Sequence, residues 1–148
     1  MTRCSVSAEG STTASRPTVW DLVADANQYP KWGPWNAGGY TPAGSGPSQP
    51  GMRQWFRYGR RTTSHERVVE VDDGRRVVYT VEKGIPVKNY RAEITLTDAG
   101  SGTHVRWAAE WDNTFLGRIV QRKMRTVYPE IMQALLHAAD VSSKSEAG

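Results

Sequence analysis

The stretch Thr63-Ser64-His65-Glu66-Arg67 puts a hydroxyl, an imidazole, a carboxyl and a guanidinium side by side in an otherwise β-patterned segment. On a strand, alternate residues face opposite sides, so this segment has two readings. If Ser64 and Glu66 face inward, Glu66 is a carboxylate in apolar surroundings with a raised pKa, able to act as a general acid or base. In the other parity His65 faces in and Glu66 is solvated. Ser64, His65 and Glu66 are therefore the catalytic candidates. The three histidines, His65, His104 and His137, stand at no ligand spacing with one another or with the lone Cys4. No metal site is expected, and His104 and His137 are expected to be solvated. Gly44, Gly46 and Gly51 form no phosphate-binding fingerprint between a strand and a helix, so no cofactor is expected either.

These groups need a scaffold, and the chain of 148 residues is long enough to bury one real core. The expected organisation is one domain over residues 1–141 with a flexible tail over 142–148. A single cysteine excludes an internal disulfide. No apolar run reaches the ~20 residues of a membrane helix, and the first residues lack a signal-peptide core. A cytoplasmic protein is expected. The net charge of +4 comes from dispersed residues with two modest clusters, Arg57 to Arg61 and Arg118, Arg122, Lys123 and Arg125. They read as solvated surface because no nucleic-acid motif accompanies them. Neither nucleic acid nor a membrane surface is expected as the main partner, although the clusters keep that alternative open.

Residues 4–13 suit a first strand. In "ASRPTVWDLVADANQYPKWGPW", Ser15 can cap a helix, Pro17 supplies a preset φ, and Val19, Leu22, Val23 and Ala26 recur at helical spacing. Trp32 and Trp35 then fall on a bend or single turn around Gly33 and Pro34. The Gly- and Pro-rich residues 36–51 predict a long flexible connection that forms no helix and no central strand. From Met52 to Asp112, five strand-like runs separated by turn residues predict an antiparallel meander. Two runs alternate cleanly: Tyr90, Ala92, Ile94 and Leu96 share one face, as do Val105, Trp107, Ala109 and Trp111. The parity of the other three is open. Leu116, Val120, Met124, Val127, Ile131, Leu135 and Ala138 recur at steps of four and three, predicting an amphipathic helix from about Thr114 to Ala139, kinked near Tyr128 by Pro129.

A curved sheet and a nearly straight helix as long as the domain do not touch fully, which leaves a gap between them. The inward strand residues Tyr90, Ile94, Trp107 and Trp111, with Tyr79 and Trp55, and the helix residues Tyr128, Ile131, Met132 and Leu135 are the expected wall, unless they simply fill the core. Trp32 and Trp35 are expected at its mouth.

Two segments carry a resemblance. "ASRPTVWDLVADANQYPKW" is similar to a pattern of small residue, Pro, Val-Trp, Leu, Asp and downstream Trp, and "GSGTHVRWAAEWD" to a Gly-Thr, apolar, Trp strand, of the START/Bet v 1-like (SRPBCC) helix-grip superfamily, in its polyketide cyclase/dehydrase-like branch. The resemblance spans nearly the whole chain. It implies an α+β helix-grip fold: a curved antiparallel β-sheet wrapped around a long C-terminal α-helix, with two short helices after the first strand. It also implies a cavity for a lipid-, sterol- or polyketide-like hydrophobic small molecule, in a monomer or homodimer. Aromatase/cyclases of the superfamily use an interior Arg to orient a polyketide. The nearest likeness here puts Glu66 in that place or displaces Arg67 by one residue, and such a displacement flips the face. A polyketide cyclase/dehydrase-type activity is thus an alternative to simple binding, as is a basic-surface module for RNA, a ribosome or an anionic membrane.

Overall fold

The computed structural model describes residues 3–60 and 62–147. Arg61, part of the first basic cluster, and Gly148 lie outside the described residues. The strands are β1 (Cys4–Thr12), β2 (Ala37–Thr41), β3 (Arg53–Tyr58), β4 (Thr62–Asp72), β5 (Arg76–Lys83), β6 (Arg91–Ala99) and β7 (Gly102–Trp111). They form one sheet in the order β1-β7-β6-β5-β4-β3-β2, and every neighbouring pair is antiparallel. The helices are α1 (Arg16–Val23), α2 (Tyr29–Trp32) and α3 (Phe115–Ala147), with a 3-10 turn at Ala26–Gln28. This is an α+β helix-grip architecture.

Local chemistry explains the helix starts. The Ser15 side chain accepts from the Thr18 amide at the head of α1, where Pro17 needs no partner. Thr114 caps α3, its hydroxyl accepting from the Gly117 amide at 2.9 Å. Trp111 Nε1 donates to the Gly117 carbonyl at 2.9 Å, fastening the end of β7 to the helix.

On the concave face, Ala92, Ile94 and Leu96 of β6 and Val105, Trp107, Ala109 and Trp111 of β7 are buried, as their alternation predicts. Ile131, Met132, Leu135 and Ala139 of α3 close the core over them. At 33 residues the helix is about 50 Å long, and Pro129 lies within it without ending it.

Three expectations need correction. Residues 36–51 are not a free connection. Ala37–Thr41 is the edge strand β2, where Gly38 and Gly39 within it and Pro42 just beyond it disturb no second neighbour. The rest is tied down: the Tyr40 hydroxyl accepts from the Ala26 amide and meets the Ser48 hydroxyl at 2.8 Å, and Asn27 donates to the Gly44 carbonyl. Residues 142–147, expected as a tail, continue α3, since adding a residue to an existing helix needs no new nucleus. Leu116, placed on the apolar stripe, is 50% exposed because the helix starts beyond the cover of the sheet.

Candidate functional site

The inner faces of β3, β4 and β5 carry the polar chemistry. In β3, Gln54 and Phe56 point in, and in β4 Ser64, Glu66 and Val68 do. Gln54 pairs with Glu66, and Phe56 with Ser64, across the ladder. A register shift between His65 and Glu66 sets Glu66 opposite Val81 of β5. The open parity of "TSHER" is thereby resolved: Ser64 and Glu66 are inside, while His65 and Arg67 lie on the outer face, where Arg67 sits 3.5 Å from Glu82.

The Glu66 carboxyl is buried and held at both oxygens. Gln54 Nε2 donates to Oε1 at 3.0 Å and Ser64 Oγ donates to Oε2 at 3.2 Å. Loss of water pushes its pKa up to about 7, and the two donated hydrogen bonds only partly oppose this.

Glu66 borders a cavity of about 250 Å³ between the sheet and α3. Ser64, Phe56, Tyr79, Tyr90 and Trp107 line the sheet side, and Val120, Met124, Val127, Tyr128 and Ile131 the helix side. The polar atoms on these rings satisfy one another. Trp107 Nε1 donates to the Tyr79 hydroxyl at 3.0 Å, and the Tyr90 and Tyr128 hydroxyls share a hydrogen bond of 2.7 Å. Burial raises the pKa of Tyr79, Tyr90 and Tyr128, so these hydroxyls stay protonated and act as neutral donors.

The exposed lining residues Gly84, Pro86 and Lys123, with half-buried Tyr58, Thr62 and Ile85, mark the opening. Gly84 has φ +102°, and a Cβ there would stand 1.7 Å from the Thr63 carbonyl oxygen, so only glycine lets this loop lie against β4.

Of the expected wall, Tyr79, Tyr90, Trp107, Tyr128, Ile131 and Trp35 border the cavity. Ile94, Trp111, Met132 and Leu135 sit in the packed core: Trp111 stacks on Tyr90 at 5.5 Å and 13°, one layer behind the cavity wall. Trp32 donates from Nε1 to the Leu22 carbonyl and packs edge-on against Trp35. Trp55 needs correction. It lies on the outer face beside His65, because Gln54 and Phe56 take the inward positions of β3. Trp32 and Trp35, expected at the mouth, join Tyr29, Phe56 and Trp107 in a ring cluster with centroids 4.6–6.5 Å apart, of which half-buried Trp35 and buried Phe56 and Trp107 border the cavity.

Phe56, Tyr58, Lys123 and the 84–86 loop were missed from the sequence. Parity could have found Phe56 only once Trp55 was assigned to the other face. Among the described residues, no group of three His, Cys, Asp or Glu side chains is placed to hold a metal. His104 bridges Ser11 and Glu9 on the outer face, and His137 is exposed. No described helix is long and apolar enough to cross a membrane.

The sequence model of a family described as "Polyketide cyclase / dehydrase and lipid transport" matches residues 3–139. No curated protein matches the chain. Among solved structures, a protein from Thermobifida fusca is 25% identical with a TM-score of 0.76, covering 92% of this chain and 93% of its own. The protein XoxI from Bacillus cereus is 19% identical with a TM-score of 0.76, over 94% of this chain and 98% of its own. DynU16, a protein in the dynemicin biosynthetic locus, is 15% identical with a TM-score of 0.75, over 96% of this chain and 49% of its own.

Proposed function

The chain belongs to the polyketide cyclase/dehydrase and lipid transport family, and from that premise we propose that its cavity binds a small hydrophobic molecule that presents one polar group to Glu66. The observation that carries this reading is a single buried carboxyl on the wall of a hollow lined mostly by aromatic and aliphatic side chains. Ligand sites are built this way, with apolar walls for affinity and a few placed polar groups for orientation. A 150 Å³ apolar cavity admits benzene with its six carbons, so about 250 Å³ scales to roughly ten carbons, two fused rings. Larger family ligands would need the 84–86 loop or the Lys123 side chain to move aside.

The probe pair is naphthalene and 2-naphthol, followed through fluorescence of Trp35 and Trp107. Saturable binding is expected, tighter for 2-naphthol, whose hydroxyl can donate to Glu66. Replacing Val127, which borders the cavity, by Trp fills it and abolishes binding of both. Absence of saturable binding, or full binding in Val127→Trp, would refute the proposal.

A second reading, proton transfer by Glu66 in cyclising or dehydrating a polyketide-like substrate, is favoured by one observation. A carboxyl with a pKa near 7 exchanges protons readily at neutral pH. The Glu66→Gln variant separates the two, keeping probe binding but losing turnover only if Glu66 is catalytic.

A further inference from the structure

Four large apolar side chains are exposed among the described residues, and three of them, Phe115 (71%), Leu116 (50%) and Ile119 (50%), fall in the first two turns of α3. This is not a loose helix end. Thr114 caps it, and the Trp111 indole holds the Gly117 carbonyl. At 100° per residue, Phe115, Ile119 and Leu116 form one strip that Lys123 continues, flanked on one side by Arg118 and Arg122 and on the other by the cavity-lining Val120. From Phe115 to Tyr128 every charged side chain is cationic: Arg118, Arg122, Lys123 and Arg125, all exposed. Arg60, exposed in the turn of the β3–β4 hairpin, is the nearest further cation by sequence to Tyr58, whose ring lies 6.0 Å from the Lys123 ammonium.

We infer that this face docks on an anionic phospholipid surface, with Phe115 and Ile119 entering the acyl boundary and Arg118 and Arg122 at the phosphates. A basic amphipathic helix with exposed large apolar side chains fits the interface of a charged membrane. A second copy of the chain fits poorly, because it would bring two all-cationic stretches together. A nucleic acid would use the charges and leave the Phe115 and Ile119 side chains wet. Docked in this way, the protein sets the cavity opening beside Lys123 against the source of apolar molecules.

The test is sedimentation of the full chain with vesicles of equal parts phosphatidylglycerol and phosphatidylcholine, and with phosphatidylcholine alone. Binding is expected to the anionic vesicles only, weakening as salt screens the charges. Arg118→Gln with Arg122→Gln lowers the partition coefficient about fivefold per charge, about twenty-five-fold together. Phe115→Ser with Ile119→Ser lowers it about tenfold per side chain or more. These positions are exposed and none borders the cavity, so thermal midpoints should not fall and 2-naphthol binding should persist. The inference fails if the wild type stays in the supernatant with anionic vesicles at low salt, or if Phe115→Ser with Ile119→Ser binds them as well as wild type. It also fails if the chain binds RNA but not vesicles, or if the strip proves to hold a dimer that ignores vesicles.

Discussion

Replacing Glu66 by Gln should stabilise the protein, and the gain should depend on pH in one direction only. The folded-state pKa of Glu66 is raised from its ordinary 4.5 to about 7 by burial. Between those values the folded chain holds a proton that the unfolded chain has released. Stability therefore falls as pH rises from about 4.5 to about 7 and is level above. The gap of about 2.5 corresponds to about 3 kcal/mol at 1.36 kcal/mol per pKa unit. Any water in the cavity solvates the carboxylate and reduces this figure, so it is a ceiling. Gln has the same shape and can keep both partners, accepting from Gln54 and donating to the Ser64 hydroxyl once that rotates. Urea unfolding of both proteins at about pH 4.5 and about pH 8 isolates Glu66, because all other titrations cancel in the difference. The variant should be near wild type at the lower pH and up to about 3 kcal/mol more stable at the higher, roughly 6–12 °C in thermal midpoint for a chain of this size. A difference that does not change with pH would refute the burial of the carboxyl as its cause, and a variant losing stability as pH rises would reverse the sign.

Gly84→Ala should cost more than about 2 kcal/mol in urea unfolding, combining a strained positive φ with a Cβ driven onto the Thr63 carbonyl; an unchanged midpoint would mean that the loop does not cross β4 so closely. Tyr128→Phe removes the hydrogen bond between the Tyr128 and Tyr90 hydroxyls and should cost about 1 kcal/mol, with no loss contradicting that pairing.

The β6 and β7 faces were legible because each alternates apolar with charged or small residues near the core. In β3 the same rule is undecided, since Arg53, Trp55 and Arg57 alternate with Gln54, Phe56 and Tyr58 and both sets mix aromatic and polar groups. Nor could β4 be assigned locally: Thr63, His65 and Arg67 look no less outward than Thr62, Ser64 and Glu66 look inward, until Val68 is fixed against the core. Partner strands settle this, and the register shift at His65 and Glu66 is invisible in one chain segment read alone. Strand β2 was hidden by its glycines, whose bare backbone lets Phe56 pack close: a Cβ on Gly38 would stand 2.6 Å from that ring. The stripe of α3 was correct in period but not in reach, because periodicity cannot say where the sheet ends beneath Leu116.

The tryptophans of the α1–α2 segment and the carboxyl of Glu66 bear on the same question, how the gap under α3 is divided. Tyr29, Trp32 and Trp35 pack with Phe56 and Trp107 into one cluster of rings beside the cavity. Such packing is cheap to build from apolar residues and could have been carried along the whole groove. Instead the inward positions beside Phe56 on β3 and β4 are Gln54, Ser64 and Glu66, and both Glu66 oxygens have a partner within the protein. A Val or Leu at position 66 would avoid the desolvation of a carboxyl altogether. A fold keeps a destabilising, well-supported polar group beside a void where that group is used, and local conflicts with stability concentrate at functional sites. The coincidence of the strongest such conflict with the wall of the remaining hollow is the physical reason to look for a ligand at Glu66 rather than anywhere else in the core.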